Sequence, residues 1–186
     1  AETDGVMSLA DADITVTGEQ EFDKAGRQVE ILPDVSGDGN ADLIVASPGS
    51  TTGGAFSGSV YVLFGGGVSG SLADADLIVR GGTGYNYTGF GLGAGDLVGG
   101  DGNDVLIGAP GNDVGGANTG TIWIVEGDVN TGEIEADSLT NYVTGQSVND
   151  EIGGTFDVLD VNGDGQDDLL VGSGVSSEGG TNAGSV

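Results

Sequence analysis

The stretch DVSGDGNADLIVASPG, beginning at Asp34, returns as DLVGGDGNDVLIGAPG from Asp96 and as DVNGDGQDDLLVGSG from Asp160, at spacings of 62 and 64 residues. Other pieces keep the same phase. SGSVYVLFGG (Ser57–Gly66) answers TGTIWIVEGD (Thr119–Asp128) and the terminal AGSV, and SLADADLIVRGG (Ser71–Gly82) nearly copies SLADADITVTGE (Ser8–Glu19). A fixed period of this length marks a solenoid, a propeller or an array, in which each unit buries its apolar face against the next.

Each unit reads as four short strands. In the first they fall at Gln28–Leu32, Asp42–Ala46, Ser59–Phe64 and Asp76–Arg80, rich in Val, Ile, Leu and aromatics and separated by Gly, Asn, Asp and Ser clusters. No window keeps an uninterrupted 3.6-residue period with caps at both ends, so helix is expected to be nearly absent. The expected class is all-β, with blades of four antiparallel strands. A sandwich accounts for the strands but not for the period. The units are expected at about 21–82, 83–145 and 146–186 joined to 1–20, which makes roughly three circularly permuted repeats. Rings commonly hold about four to eight blades. Three blades therefore imply either a dimer closing a six-bladed ring or a part of a longer chain.

The charge restricts the partners. Thirty acids face three bases, Lys24, Arg27 and Arg80, for a formal charge of −27. Such a chain repels nucleic acid and anionic lipid, and its compact state needs cations to offset self-repulsion. There is no cysteine and no histidine, which excludes disulfides, thiolate metal sites and histidine-activated nucleophiles. No apolar run approaches the ~20 residues of a membrane helix. The start AETDG carries no methionine or basic leader, as expected either of a secreted protein after signal removal or of a cut end.

These residues resemble the FG-GAP repeats of the integrin α-subunit propeller and its bacterial relatives. FG stands at Phe90-Gly91 and GAP at Gly108-Ala109-Pro110; the other units hold Ala25-Gly26 and Ile152-Gly153 in the first place. In the second place they hold Ala46-Ser47-Pro48 and Gly172-Ser173-Gly174. The resemblance implies a β-propeller, an extracellular setting and a calcium loop of the form D-x-[DNS]-x-D-G-x-x-D. In that form, side chains at the first, third, fifth and ninth places and the carbonyl of the seventh are ligands.

The first unit fits that form with Asp34, Ser36, Asp38, the carbonyl of Asn40, and Asp42; the third fits with Asp160, Asn162, Asp164, the carbonyl of Gln166, and Asp168. An EF-hand loop needs glutamate at its twelfth place, where Val171 stands. Alternate inward residues of a tight turn supply several hard oxygens, which suits Ca²⁺ better than Mg²⁺. Gly37, Gly39, Gly163 and Gly165 permit backbone angles that a Cβ opposes. The competing reading is an Asp/Gly-rich turn that binds nothing. The second loop departs: its third and fifth places are Val98 and Gly100, and Asp101 sits out of register. Asp96, Asp101 and Asp104 remain as candidate ligands there. The same GGDGNDVLI also matches a β-roll nonapeptide, a single copy of which cannot stack.

No catalytic group is expected. The acid pairs invite comparison with two-carboxylate hydrolases, but at strand starts they serve as metal ligands or solvated charge. The expected function is an extracellular calcium-stabilised module for adhesion, binding a protein or glycan. The alternatives are a structural repeat forming oligomers or fibres, and an accessory domain of a secreted polysaccharide-active enzyme. In an up-and-down blade the calcium loops, as one-to-two turns, share one end. The two-to-three and four-to-one turns share the other, where the resemblance places ligands. GYNYTGF (Gly84–Phe90) lies there, with Tyr85, Asn86 and Tyr87 as candidate contacts, or else as packing between blades. Trp123, in mid-strand, is expected in the core.

Overall fold

A computed structural model describes residues 10, 12–65, 70–99 and 102–186. Blade 1 is an antiparallel sheet of β2 (Gln28–Leu32), β3 (Asp42–Ser47), β4 (Ser59–Leu63) and β6 (Leu77–Arg80). Blade 2 repeats it with β7 (Leu92–Gly95), β8 (Asp104–Ala109), β9 (Thr121–Val125) and β11 (Tyr142–Thr144). Blade 3 supplies β12 (Thr155–Leu159) and β13 (Asp168–Gly172), and a bridge from Ser173 to Ser185 marks the third-strand place. Helix among the described residues is confined to 3-10 turn, at Leu72–Asp74, at Ala136–Ser138 and at Ala10. None is long and apolar enough to cross a membrane. The chain is all-β, built of propeller blades.

The central strands β4 and β9 read as unbroken apolar runs because both their faces are covered. Ile44, Val60, Val62 and Val79 of blade 1 form one cluster with Val105, Ile107 and Trp123 of blade 2. The reverse face of blade 2, through Leu106, Ile122 and Ile124, packs on Phe156, Val158 and Leu169 of blade 3. Burying one such aliphatic side chain contributes roughly 1.5–3 kcal/mol. Trp123 is 1% exposed and belongs to this core.

The blades approach most closely at Gly108. A Cβ there would lie 1.8 Å from the carbonyl oxygen of Gly153, so the first place of the GAP motif admits no side chain in blade 2, whereas Ala46 fills it in blade 1. The FG place follows from the same contacts. Gly26, Gly89 and Gly153 share left-handed backbone (φ 79°, 88° and 93°). Thr88 and Ile152 make equivalent parallel bridges, to Gly58 and Gly120. In blade 2, Thr88-Gly89 therefore occupies the motif's place, and Phe90-Gly91 lies two residues beyond it. The letters match there, but the register does not.

Neighbouring units are also linked by strands. β10 (Gly132–Glu135), in the three-to-four connection of blade 2, pairs in parallel with β6 of blade 1. In the same way β5 (Gly70–Ser71) of blade 1 pairs with β1 (Val16–Thr17). β1 thus holds the strand-four place of a unit preceding blade 1. Arg80 (4% exposed) fastens this junction. Its guanidinium donates to both carboxylate oxygens of Glu19 at 2.6 and 3.1 Å, to Glu133 at 3.2 Å and to the Tyr61 hydroxyl at 3.2 Å. Two sheet faces stay open: Val29 (59%) and Ile31 (76%) on blade 1, and Leu159 (63%) and Leu170 (54%) on blade 3.

Candidate calcium loops and the opposite face

The turns β2–β3 and β12–β13 fold alike, bond for bond. Asp34 accepts from the N–H groups of Gly37, Asp38 and Gly39 at 2.8, 3.1 and 2.8 Å. Asp160 accepts from Gly163, Asp164 and Gly165 at 2.6, 3.2 and 2.9 Å. Asp38 receives the Asn40 N–H, and Asp164 that of Gln166. The glycines have the expected left-handed angles, φ 77° and 90° in the first loop and 79° and 90° in the third. The amides of Gly165 and Gly163 hold the Asp160 carboxyl below its ordinary range, because they stabilise the charged form. Ser36 Oγ lies 3.4 Å from both Asp34 and Asp42, and Asn162 donates to Asp168 at 3.2 Å. First, third and ninth places are thereby drawn together.

The ninth place has a second task. Asp42 receives the N–H groups of Val35 and Ser36, plus Gly65 at 2.8 Å from beyond β4. In blade 2, Asp104 does the same with Leu97, Val98 and Gly127. It does so although the third and fifth places of that loop hold Val98 and Gly100, so this aspartate clasps backbone whether or not the loop carries the other ligands. The N–H of Asp96 is held by Asp167 of blade 3 at 3.0 Å. Asp101 lies outside the described residues. Asp128, from the three-to-four connection of blade 2, stands against Gly37 of the first loop, where a Cβ would meet its Oδ1 at 3.0 Å.

An all-oxygen donor set of carboxylates, amides and a hydroxyl is chemically suited to a hard cation. Several of these lone pairs are already engaged by amide N–H groups. Among the described residues, no group of three or more acidic side chains converges at metal-holding distance. A cation at the first loop would take Asp34, Ser36, Asp38, Asp42 and the Asn40 carbonyl. At the third it would take Asp160, Asn162, Asp164, Asp168 and the Gln166 carbonyl.

The opposite ends of the blades differ in character. Tyr85 is 60% exposed, Tyr87 is half-buried, and Asn86 is buried beneath them. Phe56 stacks at a tilt against both tyrosines, with centroids 6.0 and 5.9 Å apart. Lys24 lies 5.5 Å from the Phe56 ring centre, and Arg27 lies 5.4 Å from that of Phe90. The sequence places Ser50–Phe56 and Gly84–Phe90 at this end, with the tyrosines as contacts, but gives no sign of Lys24 or Arg27 beside the rings of Phe56 and Phe90. By the repeat offset, Phe22, Tyr85 and Asn149 are equivalent, as are Lys24, Tyr87 and Glu151, and Phe56, Asn118 and Asn182. All nine have left-handed backbone.

A family model described as FG-GAP repeat matches residues 25–63 and 153–186. The chain carries FG-GAP repeats. The matched segments lie in the two blades whose loops keep every ligand place, and the unmatched middle holds the blade whose loop diverges. Phosphatidylinositol-glycan-specific phospholipase D of Dictyostelium discoideum is 31% identical over 193 residues. The match covers 92% of this FG-GAP chain and 20% of that relative.

Proposed function

We propose that this FG-GAP chain is an extracellular, calcium-stabilised binding module, and that its ligand sits at the ends of the blades opposite the calcium loops. The observation that carries this reading is the gathering of exposed aromatic rings with Lys24 and Arg27 at that end, on a molecule otherwise dominated by acids. Exposed aromatic clusters mark interaction sites. Calcium at the loops of blades 1 and 3 would neutralise part of the −27 charge and stiffen the scaffold. The chain itself performs no catalysis in this reading. Since it spans 20% of an enzyme's length in its phospholipase relative, it serves an accessory role wherever it accompanies a catalytic domain. The test is adhesion of the purified chain to extracellular matrix and cell surfaces, with calcium and with chelator. Adhesion that depends on calcium and falls on substituting Tyr85 supports the reading; adhesion indifferent to both refutes it.

A second reading, assembly, is favoured by the open faces at Val29 and Ile31 and at Leu159 and Leu170. By the repeat, the face of blade 3 would receive a blade 1, and a two-fold dimer would close six blades. Light scattering in calcium distinguishes the cases: a folded 18.2 kDa monomer excludes the dimer.

A further inference from the structure

We propose that the cleft between blades 2 and 3, edged by Tyr85, Tyr87 and Phe90, binds a carbohydrate bearing an anionic group. This rests on the binding face proposed above and names its ligand class. The cleft has a volume of about 460 Å³ and is completed by Pro110, Asn118 and Glu151.

The first argument comes from the backbone. Phe56, Tyr85 and Tyr87 sit at φ 55°, 66° and 55°, a region that bulky side chains avoid. What the turn itself requires is visible elsewhere in the repeat. Asn149 occupies the place of Tyr85, and Asn182 that of Phe56, in the same conformation. Asparagine adopts left-handed backbone with little strain. Phe22 keeps a ring at the place of Tyr85 in blade 1, and Lys24 and Glu151 stand at that of Tyr87, so the rings of Phe56, Tyr85 and Tyr87 are not required by the turn. They form a continuous hydrophobic ledge of the kind on which the C–H faces of a pyranose stack.

The second argument is charge. Of the three bases in the chain, Arg80 is buried and paired with Glu19 and Glu133. The other two, Lys24 and Arg27, are exposed, form no ion pair among the described residues, and border this ledge through Phe56 and Phe90. Glu151 and Asn118, on the blade 2 and 3 side, offer hydroxyl-binding groups. The site is thus polar in a fixed sense: a carboxylate or phosphate toward Lys24 and Arg27, hydroxyls toward Glu151.

A peptide fits less well. A peptide adding as a strand needs free backbone amides, and here the N–H groups of Tyr85, Tyr87 and Gly111 are already given to Ala55, Phe56 and Asn86. Ring faces and side-chain groups are what remain.

The test is calorimetric titration of the chain in calcium with a hyaluronan hexasaccharide, a mannose-6-phosphate oligosaccharide, maltohexaose and a polyglutamate peptide. One or both anionic glycans are expected to bind at least tenfold more tightly than maltohexaose, and the one that does identifies the acid as carboxylate or phosphate. Tyr85→Asn, which installs the residue of blade 3, and Arg27→Gln should each weaken that binding about tenfold with unchanged melting. Equal affinity for maltohexaose, binding of polyglutamate without glycan, or no binding at all overturns the proposal. Adhesion that is still lost in Tyr85→Asn while every glycan stays silent overturns the ligand class and leaves the binding face standing.

Discussion

Asp104 in β8 receives the N–H of Gly127 at 3.0 Å, tying the first turn of blade 2 to the end of its third strand. Asp42 and Gly65 make the same bond in blade 1 at 2.8 Å. Asp104 is fully buried and serves two further amides, so its removal strands three N–H groups. Asp104→Ala should cost about 3 kcal/mol or more, equally with calcium and with chelator. Asp38→Ala, which leaves the clasp intact, should lower the melting temperature in calcium only. Equal calcium dependence of the two variants would show that the clasp is a metal ligand first.

Chelation should destabilise the fold. At calcium concentrations tens of times the dissociation constant, each occupied loop would contribute on the order of 2 kcal/mol. Differential scanning calorimetry at fixed ionic strength reads this directly. A melting temperature unmoved by chelator rules out calcium at both loops.

Arg80→Met should destabilise by roughly 3 kcal/mol, because Glu19 is left partly buried without its partner. Arg80→Lys should recover little of this, since one ammonium cannot reproduce the fork that serves Glu19 and Glu133 together. Thermal melts of the two variants check the point, and full rescue by lysine would reduce the contact to simple charge.

Mild acid should stabilise the calcium-free chain. Burial, and then the charge of Asp157, raise the Glu30 carboxyl above its usual 4.5. Ionised Glu30 is therefore a penalty present above that raised value and relieved as pH falls through it. Burial raises Asp23 likewise. Glu19 acts oppositely: the hydrogen bond from Arg80 holds it below 4.5, so its contribution persists to lower pH and is lost through its depressed value. Melting temperature in chelator should rise from pH 7 toward 5 and then fall. Glu30→Gln should raise it at pH 7 and flatten the climb; an unchanged slope would absolve Glu30.

The blades were legible because periodicity reports burial directly. Strands β2, β3, β4 and β6 fall within a residue of the expected spans, and Trp123 lies in the core as its mid-strand place implied. Parallel pairing of β10 with β6 was not legible, since GEIE is short, holds a single large apolar residue and is held by the neighbouring blade. The FG pair was misplaced in blade 2 because letters were read where the constraint is conformational. Gly89 is identified by its φ and its contacts, whereas Phe90-Gly91 only spells the motif. The two acidic loops, at Asp34 and at Asp160, were visible as spacing. The cation–ring pairs of Lys24 and Arg27 join residues 32 and 63 positions apart, and only folding brings them together.

The parallel pairing of β10 on β6 gives the molecule a direction under load. Tension drawn along the chain would pull Gly132–Glu135 lengthwise past Leu77–Arg80, so several ladder bonds resist at once rather than opening one after another. The Arg80 grip on Glu133 sits at that seam. A blade of this kind cannot be peeled from its outer edge until the next one yields, so force applied to one end travels through the array as a shared strain instead of unravelling it strand by strand.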